Sequence, residues 1–154
     1  MEIDMVPPTT ERVTKQTDHI INAHIQRQTE ANVAHFSQGD SRLIRKRLQE
    51  LDREWDIERV LEANAATAAL AGLTLGRFIH RGWFLLPAVV AGFLLQHAIQ
   101  GWCPPVPVFR RLGIRTQTEI DHERYALKAL RGDFKQIKGD GHDEPAEAVR
   151  AVRA

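Results

Sequence analysis

The apolar positions of this chain change rhythm along its length, and each change predicts a different element. From Thr10 to about residue 36 they are sparse. Val13, Thr17, Ile20, Ile21, His24, Ala31 and Phe36 form a thin, half-polar stripe on one expected helix, with Thr10 as its cap. Gln38-Gly39-Asp40-Ser41 interrupts the stripe, and Asp40 or Ser41 is suited to cap a second helix. In that helix Ile44, Leu48, Leu51 and Trp55 recur at steps of four, three and four, one apolar edge on a heavily charged rod. No proline or glycine lies between Ser41 and Ala71, so the helix is expected to continue unbroken.

The rhythm then gives way to two nearly continuous apolar runs. Val60–Ile79 has the length of a membrane span, about 20 residues, but is alanine-rich and carries Glu62, Asn64 and Arg77. Gly82–Gly101 holds no formal charge and is the stronger candidate. Nineteen helical steps from Trp83 to Trp102 cover roughly 28 Å, close to the ~30 Å hydrocarbon core of a bilayer. Tryptophan favours both edges of that core. Few residues separate the two runs, so they are expected to form an antiparallel hairpin.

Beyond the second run Pro104, Pro105 and Pro107 stop the helix, and Gly113 marks another turn. Residues 117–131 predict a last, mildly amphipathic helix, with Ile120, Arg124, Leu127 and Arg131 on one side, suited to lie on a membrane surface. The pattern divides the chain into 1–40, a lead with an amphipathic helix; 41–59, a charged helix; and 60–116, the hairpin with its Cys-Pro-Pro turn. Residues 117–131 then make a juxtamembrane helix and 132–154 a tail expected to be disordered. The predicted fold is all-α: an integral membrane hairpin of two transmembrane helices flanked by cytoplasmic amphipathic helices.

Charge orients it. Over 154 residues the net charge is +1, which gives no reason to invoke a nucleic-acid partner. Its distribution is uneven: residues 1–58 carry eight Lys/Arg against eleven Asp/Glu, whereas residues 59–101 carry three against Glu62 alone. Arg42, Arg45, Lys46, Arg47, Arg53 and Arg59 precede the hairpin, and Arg110, Arg111 and Arg115 follow it. Its tip holds only Arg77 and Arg81. Both termini are therefore expected in the cytoplasm, with Trp83, Trp102, Arg110 and Arg111 as interface anchors. The acidic first residues, with Pro7-Pro8, do not read as a signal peptide.

Three sets of residues could carry chemistry or assembly. Ala68, Gly72 and Gly76 in the first span, and Ala88 and Gly92 in the second, repeat the small-xxx-small spacing that lets helices approach closely. They serve packing within the hairpin or a homodimer. Folding the hairpin brings Glu62 and Asn64 to the depth of Gln96, His97 and Gln100, a polar cluster that is either a structural clasp or a path for protons or solutes. Cys103 is the only cysteine. Arg110 and Arg111 nearby would favour its thiolate and the helix C-terminus would oppose it, so a reactive thiol and a buried structural residue both stand. His19 and His24 are spaced too far around a helix to share a metal ion, and no phosphate loop, dinucleotide fingerprint or zinc-protease motif is present. No catalytic residue, metal or cofactor is expected.

The run Gly101-Trp102-Cys103-Pro104-Pro105, followed by Arg111-Leu112-Gly113-Ile114-Arg115-Thr116, resembles the small membrane domain at the end of the bacterial YgaP-like inner-membrane rhodaneses. That family's form is a two-helix hairpin, a Cys-Pro pair and a short Leu-Gly-Ile-x-Thr run. The resemblance covers Glu62–Thr116. It implies a bacterial inner membrane, dimers and an association with sulfur transfer. The second proline and the flanking helices depart from the family pattern. The expected function is a non-enzymatic anchoring and assembly module, a homodimer in the lipid bilayer that offers a cytoplasmic protein partner the Ile44/Leu48/Leu51/Trp55 edge together with residues 11–36. The alternatives are a sulfur- or redox-linked element using Cys103 and a minimal oligomeric channel or transporter.

Overall fold

A computed structural model describes residues 7–137 and 145–153. The helices are α1 (Arg12–Lys15), α2 (His19–Ser37), α3 (Ser41–Leu51), α4 (Ile57–Phe78), α5 (Leu85–Gln100), α6 (Val106–Arg111), α7 (Gln117–Arg131) and α8 (Pro145–Arg153), with a 3-10 turn at Arg81–Phe84 before α5. There is no strand among the described residues, so the chain is all-α as expected. It divides into two compact units: one holds residues through Ile25 and Trp55–Gln117, the other Gln26–Glu54 and the residues from Thr118 on.

The first unit is the hairpin and its base. Helix α4 begins where the Asp56 carboxylate accepts the Arg59 N–H at 3.0 Å. That cap ends the expected unbroken helix from Ser41: α3 stops at Leu51 and the chain restarts at Ile57. The helix expected from residue 11 is also broken. The Asp18 carboxylate accepts the Ile20 N–H at 2.8 Å, so α1 ends at Lys15 and α2 starts at His19. Val13, Ile57, Leu61, Cys103 and Val106 form the core at the base of the hairpin, with Phe109 and Ile114 packed on it.

Helices α4 and α5 touch through the glycines of α4. A β-carbon at Gly72 would lie 2.6 Å from Pro87 Cδ, and one at Gly76 would lie 2.8 Å from the Phe84 ring. These contacts set the register of the hairpin, and only glycine allows them. At the other end of α5, Gly101 has φ 77°, the left-handed C-cap conformation that favours glycine. A β-carbon there would come within 2.5 Å of the Arg12 backbone.

The exposure of α5 is inverted. With its 3-10 turn it gives one 20-residue helix, Arg81–Gln100, long and apolar enough to cross a membrane, with mean hydropathy 1.6. Its one buried residue from Leu85 to Gln100 is His97. Leu85 and Leu95 are 68% and 64% exposed. Helix α4 has the length but carries Glu58, Arg59, Glu62 and Arg77.

The second unit buries the apolar edge of α3 that was expected to face a partner. Ile44, Leu48 and Leu51 of α3 pack against Ile120 and Leu127 of α7, with Val33 and Phe36 of α2 alongside. This corrects two expectations. The Ile44/Leu48/Leu51 edge is not a free docking surface, and the apolar side of 117–131 meets a helix rather than a membrane surface. Trp55 remains half exposed and stacks on Arg59, its ring centroid 4.7 Å from the guanidinium carbon. Glu123, fully buried, sits beside this core and accepts from Arg47 Nε at 2.7 Å and Asn32 Nδ2 at 3.3 Å.

The tail is also more ordered than its composition implied. Pro145–Arg153 is helical with Ala151 buried, and Lys128 Nζ donates to the Val152 carbonyl at 2.6 Å. Part of the expected lead (residues 1–6) and part of the expected disordered tail (residues 138–144 and 154) lie outside the described residues.

Candidate functional site

The polar centre of the first unit lies at the base of the hairpin, where three elements converge. Glu58 stands in the first turn of α4, His97 in the last turn of α5 and Arg12 at the start of α1. One carboxylate oxygen of Glu58 lies 2.8 Å from His97 Nε2, and the other accepts from Arg12 at 2.8 Å. Arg12 also reaches the Ala98 carbonyl at 3.5 Å. The left-handed turn at Gly101 keeps the Arg12 backbone against the end of α5. Burial pushes the Glu58 carboxyl up, but the hydrogen bonds and charges of His97 and Arg12 outweigh it, and the net pKa lies below the ordinary carboxylate value. His97 is 3% exposed, and its Nδ1 has no hydrogen-bond partner among the described residues.

His97 is legible in the sequence as a polar group of the hairpin base, whereas both of its companions are hidden. Glu58 precedes the apolar run by two residues and looks like part of a charged cap, and Arg12 is 85 residues from His97. The available signal is the register: with Gly72 against Pro87 and Gly76 against Phe84, the first turn of α4 meets the last turn of α5. The other members of the expected polar cluster do not join. Glu62, Asn64 and Gln100 are exposed and Gln96 is half buried. Asn64 turns back to donate to the Val60 carbonyl at 2.8 Å.

The small residues divide by helix. Gly72 and Gly76 are buried by α5 and Ala68 is half buried, whereas Ala88 is exposed and a β-carbon at Gly92 would meet nothing within 4 Å. Among the anchors, Trp83 is 44% exposed, Trp102 is half buried and Arg111 is exposed. Arg110 is a correction. It is 1% exposed, donating to Asn22 Oδ1 at 2.9 Å, to the Ile114 carbonyl at 3.1 Å and to Thr17 Oγ1 at 3.2 Å. It ties the turn after the hairpin to the N-terminal helices and does not anchor a headgroup.

Cys103 lies in the core with Val13, Ile57, Leu61 and Val106. Burial pushes its thiol pKa up; the Val106 N–H opposes this, and the negative charge of Glu58 adds to it. The arginines expected to favour a thiolate are elsewhere, Arg110 in its hydrogen bonds and Arg111 at the surface. Alkylation of the native protein by iodoacetamide at pH 7 should therefore run at least about tenfold slower than that of an unfolded control. An equal rate would overturn this assignment. Among the described residues no three His, Cys, Asp or Glu side chains converge as a metal site.

No family model, curated protein or solved structure matches the chain. The clasp formed by Glu58, His97 and Arg12 joins polar side chains that the hairpin would otherwise leave unpaired at its base. It presents no nucleophile, and Glu58 is committed on both oxygens.

Proposed function

We propose that this chain is an integral membrane anchoring and assembly module, its spans Val60–Ile79 and Gly82–Gly101 crossing as an antiparallel hairpin. The observation that carries the reading is the inverted exposure of α5, apolar on its open faces and buried only at His97. In water such a surface drives aggregation. In a bilayer its eight Leu, Ile, Val and Phe side chains contribute roughly 2–5 kcal/mol toward insertion. The charged residues of α4 lie near its ends, where the insertion cost is lowest, and Phe78, 78% exposed, continues the apolar surface at the tip.

The arginine asymmetry supports a cytoplasmic location for both termini, and the resemblance to the YgaP-like domain supports a bacterial inner membrane. The Glu58 clasp closes the hairpin at the cytoplasmic side and ties it to the N-terminal helices. The open Ala88–Gly92 edge of α5 is where a second copy would pack to form a homodimer. The activity proposed is non-enzymatic: the hairpin holds the helical segments on either side of it at the membrane.

Membrane fractionation with topology reporters tests the reading. The protein should stay in the pellet after alkaline carbonate extraction. Alkaline phosphatase inserted at Gly82 should be active, and the same reporter fused after Thr116 should be inactive. Release into the carbonate supernatant would overturn membrane insertion, and an active reporter after Thr116 would overturn the two-span topology.

A further inference from the structure

Between α4 and α5 runs an open apolar groove of about 190 Å³, lined by residues that include Ala66, Ala69, Pro87, Ala91 and Leu94, with Glu62 as its one charged residue. The alanines make the groove, because they leave room that larger side chains would fill. Glu62 lies one helical turn beyond Glu58, about 6 Å further along α4, on the side of the clasp toward the hairpin tip. It is exposed and makes no ion pair or hydrogen bond among the described residues. The cation nearest in sequence on its face is Arg59, whose guanidinium is stacked over Trp55. Clasp and groove thus treat two carboxylates oppositely: Glu58 has a partner on each oxygen, and Glu62 has none.

Near the cytoplasmic end of the span, a carboxylate without an internal partner lies within reach of headgroup cations. The groove beside it is apolar and opens to the surface of the hairpin. We infer that the groove with Glu62 seats one aminophospholipid, an acyl chain lying along Ala66, Ala69 and Ala91 and the headgroup ammonium paired with the Glu62 carboxylate. An ammonium offers three donors to a carboxylate, and a chain of methylene groups fits a groove too shallow for large side chains. Phosphatidylglycerol shares the acyl chains but has no cation to offer. The inference rests on the membrane reading above.

Native mass spectrometry of the full-length protein, released from detergent containing equal amounts of dioleoyl phosphatidylethanolamine and dioleoyl phosphatidylglycerol, tests it. One phosphatidylethanolamine per chain should be retained, with a preference over phosphatidylglycerol of about fivefold. Glu62→Gln should abolish the preference while leaving total lipid retention similar. Ala91→Phe, which fills the groove and leaves the carboxylate in place, should abolish retention of the specific lipid, with far-UV circular dichroism unchanged in both variants. Equal retention of the two lipids by the wild type, or a preference that survives Glu62→Gln, would overturn the inference. So would a dimer that Ala91→Phe dissociates without any lipid preference, since a second copy would then occupy the groove. A protein that resists carbonate extraction but shows no preference defeats only the lipid site; one that carbonate releases defeats the membrane reading itself.

Discussion

Replacing Leu48 with aspartate is expected to open the unit built on α3 and α7. Leu48 is 7% exposed and lies between Ile44 and Leu51 in contact with the α7 side chains. The substitution removes one buried leucine and places an unpaired carboxylate in an apolar core, a loss of roughly 4 kcal/mol or more. A change of that size raises the open population about a thousandfold. Helix α3 carries Arg42, Arg45, Lys46 and Arg47, so limited trypsin digestion reports its opening directly. The Leu48→Asp protein should be cut within α3 under conditions where the wild type is stable. Leu43→Asp, at a position 38% exposed on the same helix, should resemble the wild type. Equal protection of Leu48→Asp and wild type would mean that α3 is not held by this core.

That result also separates what the sequence carried from what it hid. The spacing of Ile44, Leu48 and Leu51 announces a buried edge, because a helix repeats every 3.6 residues and three leucine-sized side chains share one face. It does not announce what covers that edge. Ile120 and Leu127 stand at least 69 residues away, and their own helix has the same amphipathic pattern, suited equally to a bilayer surface or to another helix. The all-α class and the apolar character of Gly82–Gly101 were legible for a simpler reason: they depend on local composition alone. Breaks between helices were less legible, because Asp18 and Asp56 each start a new helix through a single side-chain cap in runs without proline or glycine.

The polar residues follow the same division. His97 was recognisable as a group in need of a partner, since it lies at the end of an apolar helix. Its partner depends on hairpin register, and that register is set by the contacts of Gly72 and Gly76 with Pro87 and Phe84. The role of Arg110 is hidden for a related reason. An arginine just past an apolar run fits a headgroup anchor, and only the return of Thr17 and Asn22 to the same place turns it into a buried crosslink. Charge statistics describe where cations accumulate along the chain; they do not identify which cation the fold takes inside.

Glu58 should be the residue on which the base of the hairpin depends most. Glu58→Ala removes the carboxylate shared by His97 and Arg12 and leaves the nearly buried imidazole without a partner on either nitrogen. The expected loss is about 2–3 kcal/mol, read as a lowered unfolding midpoint of the detergent-solubilised protein. Glu58→Gln keeps the shape and one acceptor oxygen, and should cost less. The two proteins also differ in their response to acid. Because the folded pKa of Glu58 lies below its ordinary value of 4.5, the folded protein binds this proton less readily than the unfolded chain does. The stabilisation is complete above that ordinary value and is lost as pH falls through the lowered folded one. Between neutral pH and about pH 3 the wild type should therefore lose more stability than Glu58→Gln, which has no proton to take up at this position. Parallel acid profiles for the two proteins would show that His97 and Arg12 are held by the surrounding packing and not by the carboxylate between them.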